Sequence, residues 1–259
     1  MKDKRIMAHR FSGTTVLVTG SAGGLGRAHA LACAGEGAHL ILADINEAGL
    51  MESQALIEAG GGNASIHRVD MGQEADIQAF AATILSTHDR LDVLINNAGL
   101  HAGEIARGFF GLGMAKWQHY FAVNTFGPLL LAEALRPALA KAKGVIINKC
   151  SMASYNPATA YGITKASLTV FTHAMAQQFG IDDIRCVGIA PGLMETEAAL
   201  QGVDPANWER LKAMQSVKRQ GTAADISNLA LFLASEEGSF VNGQVILCDG
   251  GNQMRGFRF

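Results

Sequence analysis

Short runs of β-branched and aliphatic residues recur along the chain, most of them apolar throughout, and longer Ala- and Leu-rich stretches fill the gaps between them. The runs fall at residues 14–18, 39–43, 65–69, 93–95, 145–147, 186–189 and 245–247. Each reads as a strand, and their lack of polar alternation is the mark of strands covered on both faces. The stretches at 25–35, 47–58, 75–86, 117–139, 159–179 and 223–234 read as helices. Strict β-α alternation with doubly covered strands predicts an α/β fold, a doubly wound parallel sheet of about seven strands with helices on both faces. In such a sheet the ligand site lies outside the carboxyl ends of the strands, so chemistry is sought in the loops that follow them.

With 259 residues, no internal repeat and no linker, the chain is expected to form a single domain over 12–259, preceded by a tail at 1–11. Its 49% hydrophobic and 17% charged residues suit a large core and exclude a disordered chain. A net charge of -2 gives no broad positive field, so neither nucleic acid nor an anionic membrane is expected as a partner. Cys33, Cys150, Cys186 and Cys248 stand apart with no CxxC pair, which predicts reduced thiols, no bound metal and a cytoplasmic setting. The basic opening lacks the apolar run of a signal peptide, and no stretch approaches the ~20 apolar residues of a membrane span.

Directly after the first strand comes Thr19-Gly20-Ser21-Ala22-Gly23-Gly24-Leu25-Gly26. Glycines there permit a tight turn and a close backbone approach, and the next helix offers free N–H groups to a pyrophosphate. Three spaced glycines carry little weight in a chain with 30 glycines, but this loop joins a strand to a helix. Asp44, 18 residues past Gly26, ends the second strand. A carboxylate there accepts from adenosine ribose hydroxyls and repels the extra phosphate of NADP, so NAD is expected over NADP. Asp70, after the third strand, is placed to meet the adenine amino group, although a lone aspartate also serves as a helix cap.

Tyr161 and Lys165 sit four residues apart, on one face of a helix. A phenol has a free pKa of ~10. A neighbouring ammonium, together with the positive charge of oxidised nicotinamide, is expected to favour the phenolate. Tyr161 could then take a proton from an alcohol, or return it to a carbonyl.

Taken in order, the motifs Thr19-Gly-x-x-x-Gly-Leu-Gly26, Asp44, Asp70, Asn96-Asn97-Ala98-Gly99, Asn124, Ser151, Tyr161-x-x-x-Lys165, Pro191-Gly192 with Thr196, and Asp249-Gly250-Gly251 resemble those of the short-chain dehydrogenase/reductase family, from Thr14 to Gly251. The resemblance implies a Rossmann fold and an NAD-dependent oxidoreductase that interconverts a secondary alcohol and a ketone. It implies a catalytic set of Asn124, Ser151, Tyr161 and Lys165. Asn124 would hold a water that links Lys165 to solvent, Ser151 would hold the substrate oxygen, and Lys165 would also bond the nicotinamide ribose. Cofactor contacts are implied at Gly20, Ser21, Gly24, Leu25, Gly26, Asp44, Ile45, Asp70, Met71, Asn97, Ala98, Gly99, Pro191, Gly192 and Thr196, besides Tyr161 and Lys165. Residues 193–220 would form a substrate lid, with substrate contacts at His101, Met152, Met194 and Trp208. The long helices would pair subunits into a homodimer or homotetramer, and the tail at 254–259 could cover a neighbour's site.

One segment departs from the family pattern of Asn-Ile-Ser-Ser: here it reads Asn148-Lys149-Cys150-Ser151, with Ser151 only ten residues before Tyr161. Counting back from Tyr161 puts the serine slot near Asn148, alignment on the strand puts it at Ser151, and Ser154 stays a candidate. Two other readings remain open at this stage. One is an NAD-binding regulatory or scaffold protein without turnover, and the other is a ketoreductase of acyl-carrier-protein thioesters.

Overall fold

In a computed structural model, residues 9–101, 103–195 and 205–253 are described. Thr196, the 254–259 tail and most of the N-terminal tail therefore lie outside the described residues. Seven strands form one sheet: β1 (Thr15–Thr19), β2 (His39–Asp44), β3 (Asn63–Arg68), β4 (Val93–Asn96), β5 (Val145–Lys149), β6 (Arg185–Pro191) and, last in the chain, β9 (Val245–Cys248). Their order is β3-β2-β1-β4-β5-β6-β9, and every pair is parallel. The chain winds outward from β1 to β3, then returns to β4 on the other side of β1. That reversal opens a crevice between the carboxyl ends of β1 and β4.

Helices α1 (Gly24–Gly35) and α2 (Glu47–Ala59) cover one face of the sheet, while α3 (Glu74–Thr87) covers the other. Successive strand residues serve opposite layers. Val16, Val18, Val93, Ile95, Val145 and Ile147 enter the layer with α1 and α2, and Leu17, Leu94 and Ile146 enter the layer with α3. Each Leu or Ile fully removed from water contributes roughly 1.5–3 kcal/mol, so both layers reject a slipped register. The third strand begins two residues earlier than its apolar run predicts. It is an edge strand whose length follows its pairing with β2, from His39↔Asn63 to Asp44↔Arg68, and needs no apolar face throughout.

The helix expected over 117–139 is instead three helices and a π turn: α4 (Gly113–Phe121), the π turn Ala122–Phe126, α5 (Gly127–Ala134) and α6 (Arg136–Ala142). Pro128 has no N–H to donate, so the α ladder cannot run through it, and Pro137 reopens the helix after Leu135. A Cβ on Gly127 would come 2.4 Å from the Met71 carbonyl oxygen, so glycine lets this turn lie against the loop after β3. Helix α7 (Ala160–Phe179) joins α3, α5 and α6 on their face.

Beyond β6 the chain forms a small second sheet. β7 (Met194–Glu195) pairs in parallel with β8 (Gly221–Thr222), and α8 (Pro205–Ala213) lies between them in sequence. Gln220 Nε2 donates to the Leu193 carbonyl oxygen at 2.8 Å, so the excursion is stapled at its base. Helix α9 (Ala223–Ala234) then packs with α1. Among the described residues no helix is long and apolar enough to cross a membrane.

Candidate active site

A cleft of about 1250 Å³ runs along the carboxyl edge of the sheet, across the reversal between β1 and β4. At one end lies the glycine loop. Gly20 turns with φ +66° and Gly24 with φ +52°. Gly26 packs so tightly that a Cβ would come 2.0 Å from the Gly20 carbonyl oxygen. Gly23, by contrast, is extended, and a Cβ there meets nothing within 4 Å. Helix α1 has no side-chain cap, so its first N–H groups are left to the cleft. An uncapped helix end beside open glycines is what a diphosphate needs.

Asp44 clamps this loop. Its Oδ2 accepts from Ala22 N and its Oδ1 from Asn46 N, each at 3.0 Å. The cap of α2 is Asn46, which accepts from Gly49 N. Ser21 supports the loop from beneath and does not line the cleft, since its side chain is turned to the Ala43 carbonyl oxygen. Arg27, at the start of α1, is tied to Glu52 at 2.8 Å and to Ser53 Oγ at 2.9 Å. Asn97 joins the two sides of the crevice: its Nδ2 donates to the Thr19 and Gly20 carbonyl oxygens, both at 2.9 Å. Asp70 lines the cleft with Ile45 and Met71, and its Oδ1 accepts from Gly72 N at 2.8 Å.

The other end of the cleft carries Ser151, Met152, Tyr161, Pro191, Gly192 and Met194. Burial pushes the Tyr161 phenol up from its ordinary pKa, and a hydrogen bond with the Ser151 side chain pulls it partly back. Ser151 Oγ also accepts from Ala153 N at 3.1 Å, which fixes its rotamer. This separates the serine candidates. Asn148 is wholly buried, accepts from Asn96 Nδ2 at 2.9 Å and donates to Thr172 at 3.0 Å; Ser154 Oγ is buried and does not line the cleft.

Lys165 is buried, and its Nζ donates to the Lys149 carbonyl oxygen at 2.9 Å. Burial pushes its pKa down to about 8. The influences on Tyr161 are burial, Ser151 and Cys150, without Lys165 among them. The ammonium is thus desolvated and held by the β5 backbone in the free protein.

Asn124 sits on the π turn, fully buried. Its Oδ1 accepts from Leu100 N at 2.7 Å, and its Nδ2 donates to Thr164 Oγ1 at 3.0 Å. Neighbouring Thr125 donates to the Thr164 carbonyl oxygen at 3.0 Å. The π turn thus grips the turn of α7 that carries Tyr161 and Lys165, and holds the loop after Gly99. A Cβ on Gly99 would lie 3.0 Å from Asn124 Oδ1 and 3.2 Å from Lys165 Nζ, so these groups converge. His101 is exposed at the mouth, with Nδ1 3.3 Å from the Gly99 carbonyl oxygen. Trp208 does not line the cleft; Leu211, one turn further along α8, does.

Lys149, part of the segment that departs from the family pattern, also lines the cleft. Its signal in the sequence is a lysine that follows Val145 and Ile147 on one face of the strand.

A family model described as enoyl-(acyl carrier protein) reductase matches residues 20–253. A protein of Bradyrhizobium diazoefficiens named as a probable short-chain type dehydrogenase/reductase is 35% identical, over 93% of this chain and 88% of its own. A solved 7α-hydroxysteroid dehydrogenase in complex with NADH and 7-oxo glycochenodeoxycholic acid superposes with a TM-score of 0.88 at 31% identity, over 95% of this chain and 96% of that one. A structure assigned as an NAD(P)-dependent gluconate 5-dehydrogenase from Beutenbergia cavernae, with bound NADP, gives 0.87 at 29% identity, over 95% and 98%.

Proposed function

Because the chain belongs to the short-chain dehydrogenase/reductase family, whose members act on alcohols and ketones, we propose that it is an NAD-dependent dehydrogenase of a secondary alcohol, with Tyr161 as its acid/base. The observation that carries this reading is that Ser151 and Tyr161 line the cleft together, at the end opposite the glycine loop, with the serine hydroxyl acting on the phenol. When bound, the nicotinamide supplies the hydride acceptor or donor. Ser151 would hold the substrate oxygen, and the phenol would give its proton to a ketone oxygen or receive one from an alcohol. Lys165, held by the Lys149 carbonyl oxygen, would bond the nicotinamide ribose and reach the phenol only once the cofactor rearranges it.

NAD is preferred in this reading because Asp44 faces the ribose region and the nearby Arg27 is committed to Glu52. Thr196 is proposed to act with Pro191 and Gly192 on the carboxamide, and the 193–220 excursion to close over substrate. Met152, Leu193, Met194 and Leu211 give that end apolar walls, which suits a substrate with an apolar body. The assembly is proposed as a cytoplasmic homodimer or homotetramer built on α4 to α7, where Phe126 and Val170 stand exposed. The test is NADH production across a panel of secondary alcohols by the wild type and Tyr161→Phe. A wild type that turns over none of them, in either direction, would sink the reading and return the non-catalytic alternative.

A further inference from the structure

In β5, Val145 and Ile147 point into the layer with α1 and α2, and alternation puts Lys149 next on that face, at the carboxyl edge. Its ammonium lines the cleft and makes no hydrogen bond or ion pair with a described residue. Its charge is felt across the cleft. It senses the Asp44 carboxylate and the Lys165 ammonium, and it acts on His29 in α1 and His101 after β4. Two strands, β1 and β4, separate β5 from Asp44 at the end of β2. A lysine that ends β5 and lines the cleft lies on the far side of the crevice from Asp44.

The charge balance there is incomplete. A helix N-terminus supplies only about half a positive charge. A dinucleotide diphosphate brings two negative charges, and Asp44 adds another to the same cleft. Arg27 is already paired. Burial and Lys165 push Lys149 down to about 7, against the pull of Asp44, so its charge lacks a partner that an anion would provide.

We propose that Lys149 is an ionic contact for the cofactor diphosphate, a cation added to the glycine-loop site from the far side of the crevice. The proposal rests on the reading of this cleft as a dinucleotide site. The test measures dissociation constants of NADH, NAD and ADP-ribose by fluorescence titration and calorimetry, for the wild type, Lys149→Met and Lys149→Arg, at low and high salt. ADP-ribose carries the diphosphate without the nicotinamide. Lys149→Met should bind ADP-ribose and NADH about tenfold or more weakly, with less salt dependence, while Lys149→Arg keeps most of the affinity. Removing an unpaired, partly buried charge should leave thermal melting at or above wild type, so lost affinity cannot be ascribed to unfolding. Unchanged ADP-ribose binding in Lys149→Met overturns the proposal, as does tighter NAD binding without an ADP-ribose effect, which would place the cation at the nicotinamide. Either result leaves the cofactor site standing. A wild type that binds neither NADH nor NADPH removes both.

Discussion

Lys165 donates its hydrogen bond to the Lys149 carbonyl oxygen, 2.9 Å away, so in the free protein the ammonium one helical turn from Tyr161 is held by the backbone of β5. The Ser151 hydroxyl acts on the Tyr161 phenol at the same end of the cleft. In the proposed mechanism a bound nicotinamide ribose would link this ammonium to the phenol.

Removing the phenolic oxygen should stop proton transfer without disturbing the glycine loop. Tyr161→Phe is expected to lower kcat by roughly 10²–10⁴ while NADH affinity stays within a few-fold. Steady-state kinetics beside NADH titration checks this; retained turnover rules out Tyr161 as the acid/base.

Burial raises the Tyr161 pKa, so the protonated phenol persists through neutral pH. That form donates to a ketone. Reduction should therefore run undiminished near pH 6–7, and oxidation should climb with pH as the phenolate becomes accessible. Rates measured in both directions across pH test the sign; oxidation that falls between pH 7 and 9 contradicts it.

Two glycines should separate folding from binding. Gly26→Ala drives a Cβ to 2.0 Å from the Gly20 carbonyl oxygen and should destabilise the loop severely. Gly23→Ala puts its methyl into open space on an extended backbone, so the melting temperature should hold while NADH binding weakens. Calorimetric melts with NADH titrations distinguish the two, and normal NADH affinity in Gly23→Ala places the diphosphate elsewhere.

Asp44 carries both loop geometry and cofactor choice. Asp44→Ala strands the Ala22 and Asn46 N–H groups and should cost about 1–3 kcal/mol. Combined with Ile45→Arg it should raise the NADP-to-NAD ratio of kcat/KM. A wild type that already prefers NADP refutes the assignment.

Val170 is 67% exposed on α7, and Phe126 packs edge-on against Phe171 beside it. Val170→Glu should dissociate the proposed assembly, as read by sedimentation velocity; a monomeric wild type denies that α7 is an interface.

The apolar runs and the loops after them made the seven strands, their parallel order and the glycine crevice legible in the chain, because a doubly covered strand has to be apolar and a phosphate turn has to be glycine-rich. The π turn was hidden: nothing in a periodic pattern reports that Pro128 breaks the ladder in a way that aims Asn124 and Thr125 at Thr164. Nor could spacing separate Ser151 from Asn148 or Ser154, since three hydroxyl or amide side chains near one strand end differ only in which way each one points. The partner of Lys165 and the place of Lys149 in the cleft wall were likewise decided in three dimensions. Local sequence fixes which groups are available and on which face they emerge, whereas hydrogen-bond partners and desolvation depend on elements that meet only when the sheet is wound.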